Sequence, residues 1–440
     1  MKNTQNMLIR FAVQNYLSIK TEQVFSMVAA PIKEKFESCN DNVFSSEKAP
    51  DLLKSAVIYG ANASGKSNFI KSFGFFQNFT ILSASFAPNQ PINVIPFLLS
   101  DATQKEPSSF EVTFFWKNKI YRYGFKLSSN EVIEEWFFIK DLRETAVFYR
   151  NGDDIDILAK YKILQELKLK KMIRPNALLL SLAAQFNDET AKDVFGWFAN
   201  INSISGLSDA LYSNFTLNLL ENAEKKDIIL GLLRVADLGI ANLRVNDLEG
   251  ESIALTIGMN NQTPTISKQK SVIKNLHTVK QVLNDKGELI NYIEFPFEQY
   301  ESEGTKKFFH LLGPILDTLQ HGKVLIIDEL DTKLHPLLTQ RIVKLFNSKS
   351  TNPNNAQLIF ATHDTNLLDA KIFRRDQIWF TEKDRYGATQ LYSLTDFKKT
   401  KKPRNDEKLE KSYTAGKYGA IPFLGDFDDL FEQLTRESNE

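Results

Sequence analysis

The sequence predicts an α/β fold: a mainly parallel sheet around a phosphate-binding loop, joined to an antiparallel β subdomain and an inserted helical subdomain. Three observations point to it. Gly60-Ala-Asn-Ala-Ser-Gly-Lys-Ser67 fits G-x-x-x-x-G-K-[ST], preceded by an apolar run at 56–59 and followed by a helix-compatible run from Ser67. Far downstream, Leu325-Ile-Ile-Asp-Glu329 ends a second short apolar run in an acidic pair. Between the two, the apolar spacing changes first to strand-like and then to helix-like periodicity.

Residues 7–28 read as two strands around a turn at Asn15-Tyr-Leu-Ser-Ile19. The strand before the phosphate loop and the loop's own helix, to about Phe79, come next. Residues 110–157 alternate in short segments, 110–116, 119–127 and 132–139, separated by Lys117-Asn118 and Ser128-Ser-Asn130, which predicts antiparallel hairpins. Residues 158–240 switch to helical spacing. Ile163, Leu164 and Leu167 form one apolar face, Val194, Phe195 and Phe198 a second, and Ile228, Leu232 and Val235 a third. A further hairpin is expected around Asn284-Asp-Lys-Gly287, flanked by Val279, Val282, Ile290 and Tyr292. From Ser302 the pattern alternates: a helix over 305–319, a buried strand at 324–327, a helix after Pro336, then strands at 357–361, 377–380 and 390–394. That order predicts a mainly parallel sheet with helices on both faces. The expected organisation is a first head lobe over 1–157, a mainly helical insertion over 158–290 and a second head lobe over 291–440.

The chain has 440 residues, 42% hydrophobic and with 34 Phe, ample for a packed core, which argues against wholesale disorder. Lys+Arg and Asp+Glu both number 54, so a globally basic nucleic-acid binder is not indicated. The single cysteine, Cys39, excludes an intrachain disulfide framework and a cysteine metal cluster, and fits a reducing, cytoplasmic setting. The longest apolar stretch, 177–184, is far shorter than the ~20 residues a membrane span needs, and the polar N-terminus has no signal-type apolar region. A soluble protein with no membrane partner is expected.

The loop residues Gly60, Asn62, Ala63, Ser64, Gly65, Lys66, Ser67 and Asn68 form the expected nucleotide cradle. Backbone N–H groups at a glycine-rich turn and a helix N-terminus point at an anion. Lys66 supplies a charge for the β- and γ-phosphates, and the Ser67 hydroxyl can ligate Mg²⁺. Asp328 would hold Mg²⁺ through water, and Glu329 would serve as general base. Ser302-Glu-Gly304-Thr305 opens a predicted helix and can offer hydroxyl, amide and dipole to an anion, although serine also caps ordinary helices. His363, after 358–362, can hydrogen-bond a γ-phosphate. Asp331 stands two residues beyond Glu329. ATP and Mg²⁺ are the ligands implied.

In this order the motifs resemble the ATPase head shared by ABC transporters, SMC and RecF proteins and OLD-like ATPases. Asn15-Tyr-Leu-Ser-Ile19 is similar to the opening turn of RecF-like heads. More narrowly, Glu301-Ser-Glu-Gly-Thr305, Asp328-Glu-Leu-Asp-Thr-Lys-Leu-His-Pro336, Thr362-His-Asp-Thr-Asn-Leu-Leu368, Arg374-Arg-Asp-Gln-Ile-Trp379 and Tyr418-Gly-Ala-Ile-Pro422 resemble the bacterial RloA/AbiL-type ATPases, counted among AAA ATP-binding proteins. The resemblance implies an ABC-type ATPase that forms a homodimer head to head, with Ser302, Gly304 and Asp331 acting in trans on the ATP held by the other subunit's Lys66. Such heads also use a glutamine to touch Mg²⁺; Gln90 and Gln104 stand as candidates and neither is assigned.

The terminal acids Asp426, Asp428 and Asp429 read as a solvated tail, and no zinc spacing or nucleophilic triad is present. A nuclease or toxin activity is therefore expected from a separate effector. The basic runs 398–404 and 168–171 are candidate DNA or RNA contacts, with a solvated face as the plainer reading. The resemblance implies an ATP-gated sensor and scaffold controlling that effector in antiphage defence. The alternatives are a RecF/SMC-like DNA-repair ATPase acting directly on DNA and a transporter subunit, which the Ser302 motif fits poorly.

Overall fold

The computed structural model describes residues 6–158, 160–169, 172–205, 212–236, 239–256, 265–397 and 407–422, with no side-chain description for Leu169 or for 247–273. The chain forms two compact units. The first comprises Met1–Gly206, Thr318–Thr332 and Thr339–Glu440; the second comprises Leu207–Asp317 and Lys333–Leu338.

The first unit begins with β1 (Met7–Gln14) and β2 (Gln23–Ser26), then a small hairpin of β3 (Val43–Ser46) and β4 (Ala49–Leu53). β5 (Ser55–Gly60) leads into the phosphate loop and α1 (Lys66–Leu82). Five strands follow: β6 (Ser108–Trp116), β7 (Lys119–Leu127), β8 (Val132–Lys140), β9 (Glu144–Asn151) and β10 (Asp154–Ile157). They join β1 and β2 in one antiparallel sheet of order β10-β9-β8-β7-β6-β1-β2. The antiparallel subdomain expected over 110–157 thus also recruits the N-terminal hairpin. α2 (Lys162–Leu169), α3 (Leu179–Gln185), α4 (Glu189–Phe198) and β11 (Ile201–Ser205) complete this stretch.

α1 is apolar on more than one side because it is buried on more than one side. Phe69, Phe73 and Phe76 all pack on Phe11 of β1, and Phe76 stacks on Phe125 of β7. Trp197 of α4 lies flat on Phe114, with ring centroids 4.0 Å apart. This aromatic layer is the use to which the many phenylalanines are put.

In the second unit, α5 (Ser213–Leu219) and α6 (Ala223–Val235) precede three antiparallel strands: β12 (Asn242–Thr256), β13 (Thr265–Leu283) and β14 (Leu289–Pro296). α7 (Phe297–Tyr300) and the first part of α8 (Glu303–His321) follow. Pro314 inside α8 cannot donate to the His310 carbonyl. The Thr216 hydroxyl donates to that carbonyl instead, at 3.1 Å, and accepts from Gly313 N at 3.1 Å.

Two expectations need correction here. The span 158–290 is not one mainly helical insertion: 158–206 clusters with the first unit, and 242–296 is a three-stranded sheet with the expected turn at 284–287. The buried face of α6 is Ile229, Leu230 and Leu233, whereas Ile228 and Val235 are exposed. α2 and α4 do bury Leu164, Leu167, Val194 and Phe198, as the spacing predicts.

The remaining elements are β15 (Val324–Asp328), α9 (Pro336–Asn347), β16 (Gln357–Ala361), β17 (Ile378–Lys383), β18 (Thr389–Ser393) and α10 (Leu409–Thr414). Together with β5 and β11 the strands form a six-stranded sheet, β11-β15-β16-β5-β17-β18, parallel except for β18. The strand from the start of the chain sits between two strands from its end, so the sheet is discontinuous in sequence, as predicted.

Gln357 links the seven-stranded and six-stranded sheets of the first unit. β1 carries a bulge between Leu8 and Arg10, which frees backbone groups from the ladder. The fully buried Gln357 side chain accepts from Leu8 N (2.6 Å) and donates to the carbonyls of Leu8 and Leu53 (both 3.1 Å). Gln357→Ala removes all three bonds, and an unmade buried bond costs about 1–3 kcal/mol. The variant is expected to lower stability by about 3 kcal/mol in thermal unfolding; a wild-type transition would disprove the linking role.

Candidate functional site

The C-terminal ends of the parallel strands lie side by side because their registers match: Thr381 of β17 pairs with Gly60, Ala361 of β16 with Ile58, and Ile327 of β15 with Phe360. A parallel sheet presents ligands at this edge. An open cleft there is lined by Asn62 to Asn68, Glu329 and His363.

Gly60 and Gly65 bracket the loop for steric reasons. A Cβ on Gly60 would stand 2.5 Å from both Ser64 Oγ and Thr381 O. Gly65, the N-cap of α1, has φ 111°, and a Cβ there would collide with the Thr389 side chain. Ala63 is also left-handed, at φ 61°. Lys66 is buried and folds over its own loop, donating to the carbonyls of Gly60 (2.7 Å) and Ala61 (3.1 Å). Burial pulls its ammonium down to about 8, against the opposing pull of Asp328, Glu329 and Asp331.

The Asp328 carboxyl is raised above its ordinary range, chiefly by burial, although the Ser67 hydroxyl donates to it. Its Oδ1 is buried and meets no protein partner. Glu329 follows at φ 53°, a left-handed conformation that costs a non-glycine residue about 1–2 kcal/mol. The turn is held by Leu330 N donating to the Ala361 carbonyl (3.1 Å) and by the Thr332 hydroxyl donating to Glu329 Oε2 (3.1 Å). Strain maintained in this way is characteristic of functional positions. Asp331 accepts from His363 N at 3.3 Å through Oδ2, while its Oδ1 is buried without a partner. His363 is solvent-facing, and its imidazole sits below the usual histidine range through desolvation and the charge of Lys66.

The first unit therefore brings together Gly60, Asn62 to Asn68, Asp328, Glu329, Asp331 and His363. Ser302 and Gly304 belong to the second unit. There Ser302 Oγ accepts from Thr305 N (3.1 Å) and contacts Thr305 Oγ1 (2.9 Å), the cap that the sequence left open as its plainer role. A Cβ on Gly304 would stand 2.7 Å from the Lys333 carbonyl. Neither glutamine candidate lines the cleft: Gln90 accepts from Ala87 N and Gln104 donates to the Leu98 carbonyl. The basic run 398–404 and the acids Asp426, Asp428 and Asp429 lie outside the described residues, as do Lys170 and Lys171; Lys168 donates to the Ile155 carbonyl.

Sequence reasoning missed Ser18, Thr381 and Thr389. Thr381 Oγ1 meets Ser64 Oγ at 2.6 Å, Thr389 Oγ1 donates to the Ser64 carbonyl at 2.9 Å, and Ser18 Oγ meets Thr389 Oγ1 at 2.8 Å. Hydroxyls this far apart in sequence leave no spacing signal; only the Asn15–Ile19 turn carried a hint. Gly65→Ala adds a methyl group where Thr389 already stands and forces a left-handed φ on alanine. It is expected to lose about 3 kcal/mol of stability and all measurable nucleotide binding. An alanine variant that melts and binds like the wild type would refute this packing.

Among the described residues, no helix is long and apolar enough to cross a membrane. No curated protein matches the chain. Among solved structures, the SMC head domain from Thermotoga maritima aligns with 88% of this chain and 98% of its own, at 12% identity and a TM-score of 0.39. A family model described as "AAA domain, putative AbiEii toxin, Type IV TA system" matches residues 55–369, which run from the first residue of β5 to beyond His363. By that match, over more than half its length, the chain belongs to this AAA domain family.

Proposed function

We propose that the protein is an ABC-type ATPase of the RloA/AbiL kind, a cytoplasmic homodimer that binds and hydrolyses ATP to control a separate nuclease or toxin in antiphage defence. The reading rests above all on one observation: the phosphate loop, the strained Glu329 and His363 line one cleft, and Asp328 is hydrogen-bonded to the loop's Ser67. The family's description names a toxin and a TA system, which accords with a second protein as partner.

The donor set fits magnesium. Ser67 and Asp328 are joined by a hydrogen bond, and the buried, unpartnered Asp328 Oδ1 asks for a cation. When bound, the ion supplies positive charge to the β- and γ-phosphates. Lys66 would exchange its carbonyl contacts for those phosphates. Glu329 would take a proton from the water that attacks the γ-phosphorus as the bond to the β-phosphate oxygen breaks. His363, its pKa lowered, would be neutral at pH 7 and donate an N–H to the γ-phosphate. Ser302, Gly304 and Asp331 would complete the partner subunit's site.

Glu329→Gln keeps the shape and removes the base. It is expected to bind ATP, lower turnover by about 100-fold or more and accumulate as an ATP-bound dimer in light scattering. Lys66→Ala should bind no ATP. Unchanged turnover in Glu329→Gln would sink the base assignment. Recovery of a companion protein whose activity responds to ATP supports the effector role; tight binding to duplex DNA with no companion would favour the DNA-repair reading.

Lys66 also sets a pH dependence. Its pKa of about 8 in the free protein would rise beside polyphosphate, so the complex holds more protons than the free protein above that pH. ATP affinity is therefore expected to fall as pH rises from 7 to 9, with proton uptake on binding. Calorimetry in buffers of different ionisation enthalpy measures both, and proton release would contradict the assignment.

A further inference from the structure

The phosphate loop is held from behind, and the count of hydroxyl protons fixes how. A serine or threonine hydroxyl carries one proton. Thr389 gives its proton to the Ser64 carbonyl, so in its 2.8 Å contact with Ser18 the proton comes from Ser18. Ser18 Oγ in turn accepts from Asn68 Nδ2 at 2.8 Å. The chain runs one way, from Asn68 through Ser18 and Thr389 to the Ser64 carbonyl. Thr389 N also donates to the Ser18 carbonyl at 2.7 Å, which ties the start of β18 to the N-terminal turn.

This chain sets the orientation of one peptide. In a trans peptide the carbonyl and the following N–H point in opposite directions. With the Ser64 carbonyl held on Thr389, the Gly65 N–H is turned away from Thr389. Glycine resists rotation of its flanking peptides least, and Gly65 sits at φ 111°. The hydroxyl thus supplies the restraint that the glycine lacks.

We infer that Thr389, seated by Ser18, is a positioning residue that locks the Ser64–Gly65 peptide with the Gly65 N–H aimed at the bound phosphate. The inference rests on the nucleotide reading above. A peptide free to turn would present its carbonyl to an anion in part of the population and weaken binding accordingly.

The test uses the full chain and Mg·ATP. Thr389→Val keeps the shape and removes the hydroxyl; Thr389→Ser keeps the hydroxyl. Losing one preorganised bond is expected to raise the Kd for ATP about tenfold in Thr389→Val. Thr389→Ser should stay within about twofold of wild type, and kcat at saturating ATP should hold within about twofold in both, because Thr389 does not touch the reacting atoms. Ser18→Ala, in the N-terminal turn, is expected to raise Kd about threefold. ATP binding by Thr389→Val as tight as wild type, or by Thr389→Ser as weak as Thr389→Val, would overturn the inference. Wild-type protein that binds no ATP would instead defeat the nucleotide reading. Amide exchange of the 60–68 segment without nucleotide decides the lock independently: faster exchange in Thr389→Val than in wild type and Thr389→Ser supports it, and equal rates refute it.

Discussion

The pairing of β5 between β16 and β17 is the constraint from which the site follows. β5 ends at Gly60, and its parallel neighbours end near His363 and Lys383. Parallel strands in register finish at one edge, so the loop from the first sixth of the chain meets acids and a histidine from its last third. The insertion between them raises the entropic cost of closure only slowly, since that cost grows with the logarithm of loop length. The continuous apolar core of the sheet, with β5 buried at every position, supplies the return.

Once assembled, the edge carries an electrostatic imbalance. Asp328, Glu329 and Asp331 surround Lys66, and the low imidazole pKa of His363 brings no compensating charge at neutral pH. Asp328 shows the strain directly: burial and the neighbouring Glu329 raise its carboxyl despite the Ser67 bond. In the proposed function a polyphosphate entering this cleft would add to the excess, which the peptide dipoles of the loop, Lys66 and a divalent cation would offset together. The hydroxyls of Ser18 and Thr389 contribute what charge cannot: in the inferred role they orient the Ser64 carbonyl without adding a formal charge, while Thr381 meets the Ser64 hydroxyl.

How much of this was legible in the sequence depends on whether a residue's role is local. The loop and the strand–acid–acid ending declare themselves because each needs a fixed short spacing, and the parallel strands appear as short apolar runs. β12 and the part of β13 that precedes the expected 284–287 hairpin did not read as strands because their facing segments, such as Asn246-Asp247 against Lys274-Asn275, are polar and lack an alternating pattern. α6 failed for the opposite reason. Its Ile228-Ile-Leu-Gly-Leu-Leu-Arg-Val235 run offers two apolar faces, and tertiary packing chose Ile229, Leu230 and Leu233. Thr389 and Ser18 are far apart in sequence, and no local periodicity connects them.

The start of α8 illustrates how one residue can cap a helix and still be available for binding. Ser302 accepts from Thr305 N, which uses a lone pair and leaves its proton uncommitted. If Thr305 donates across the 2.9 Å contact between the two hydroxyls, the Ser302 proton is free to face an anion. Glu303 beside it would repel that anion, but Lys306 and Lys333 both pair with this carboxylate and hold it down to about 2. The helix N-terminus therefore keeps its positive end exposed, with the Glu303 charge countered by two lysines and that of buried Glu301 by Lys280. Gly304 cannot gain a side chain without meeting the Lys333 carbonyl, so the segment that carries the neutralising lysine also keeps the helix start bare. In the proposed dimer a rotation of the Ser302 hydroxyl would turn its proton toward phosphate, and the sequence Ser-Glu-Gly-Thr is accounted for by capping, charge balance and space before any partner is added.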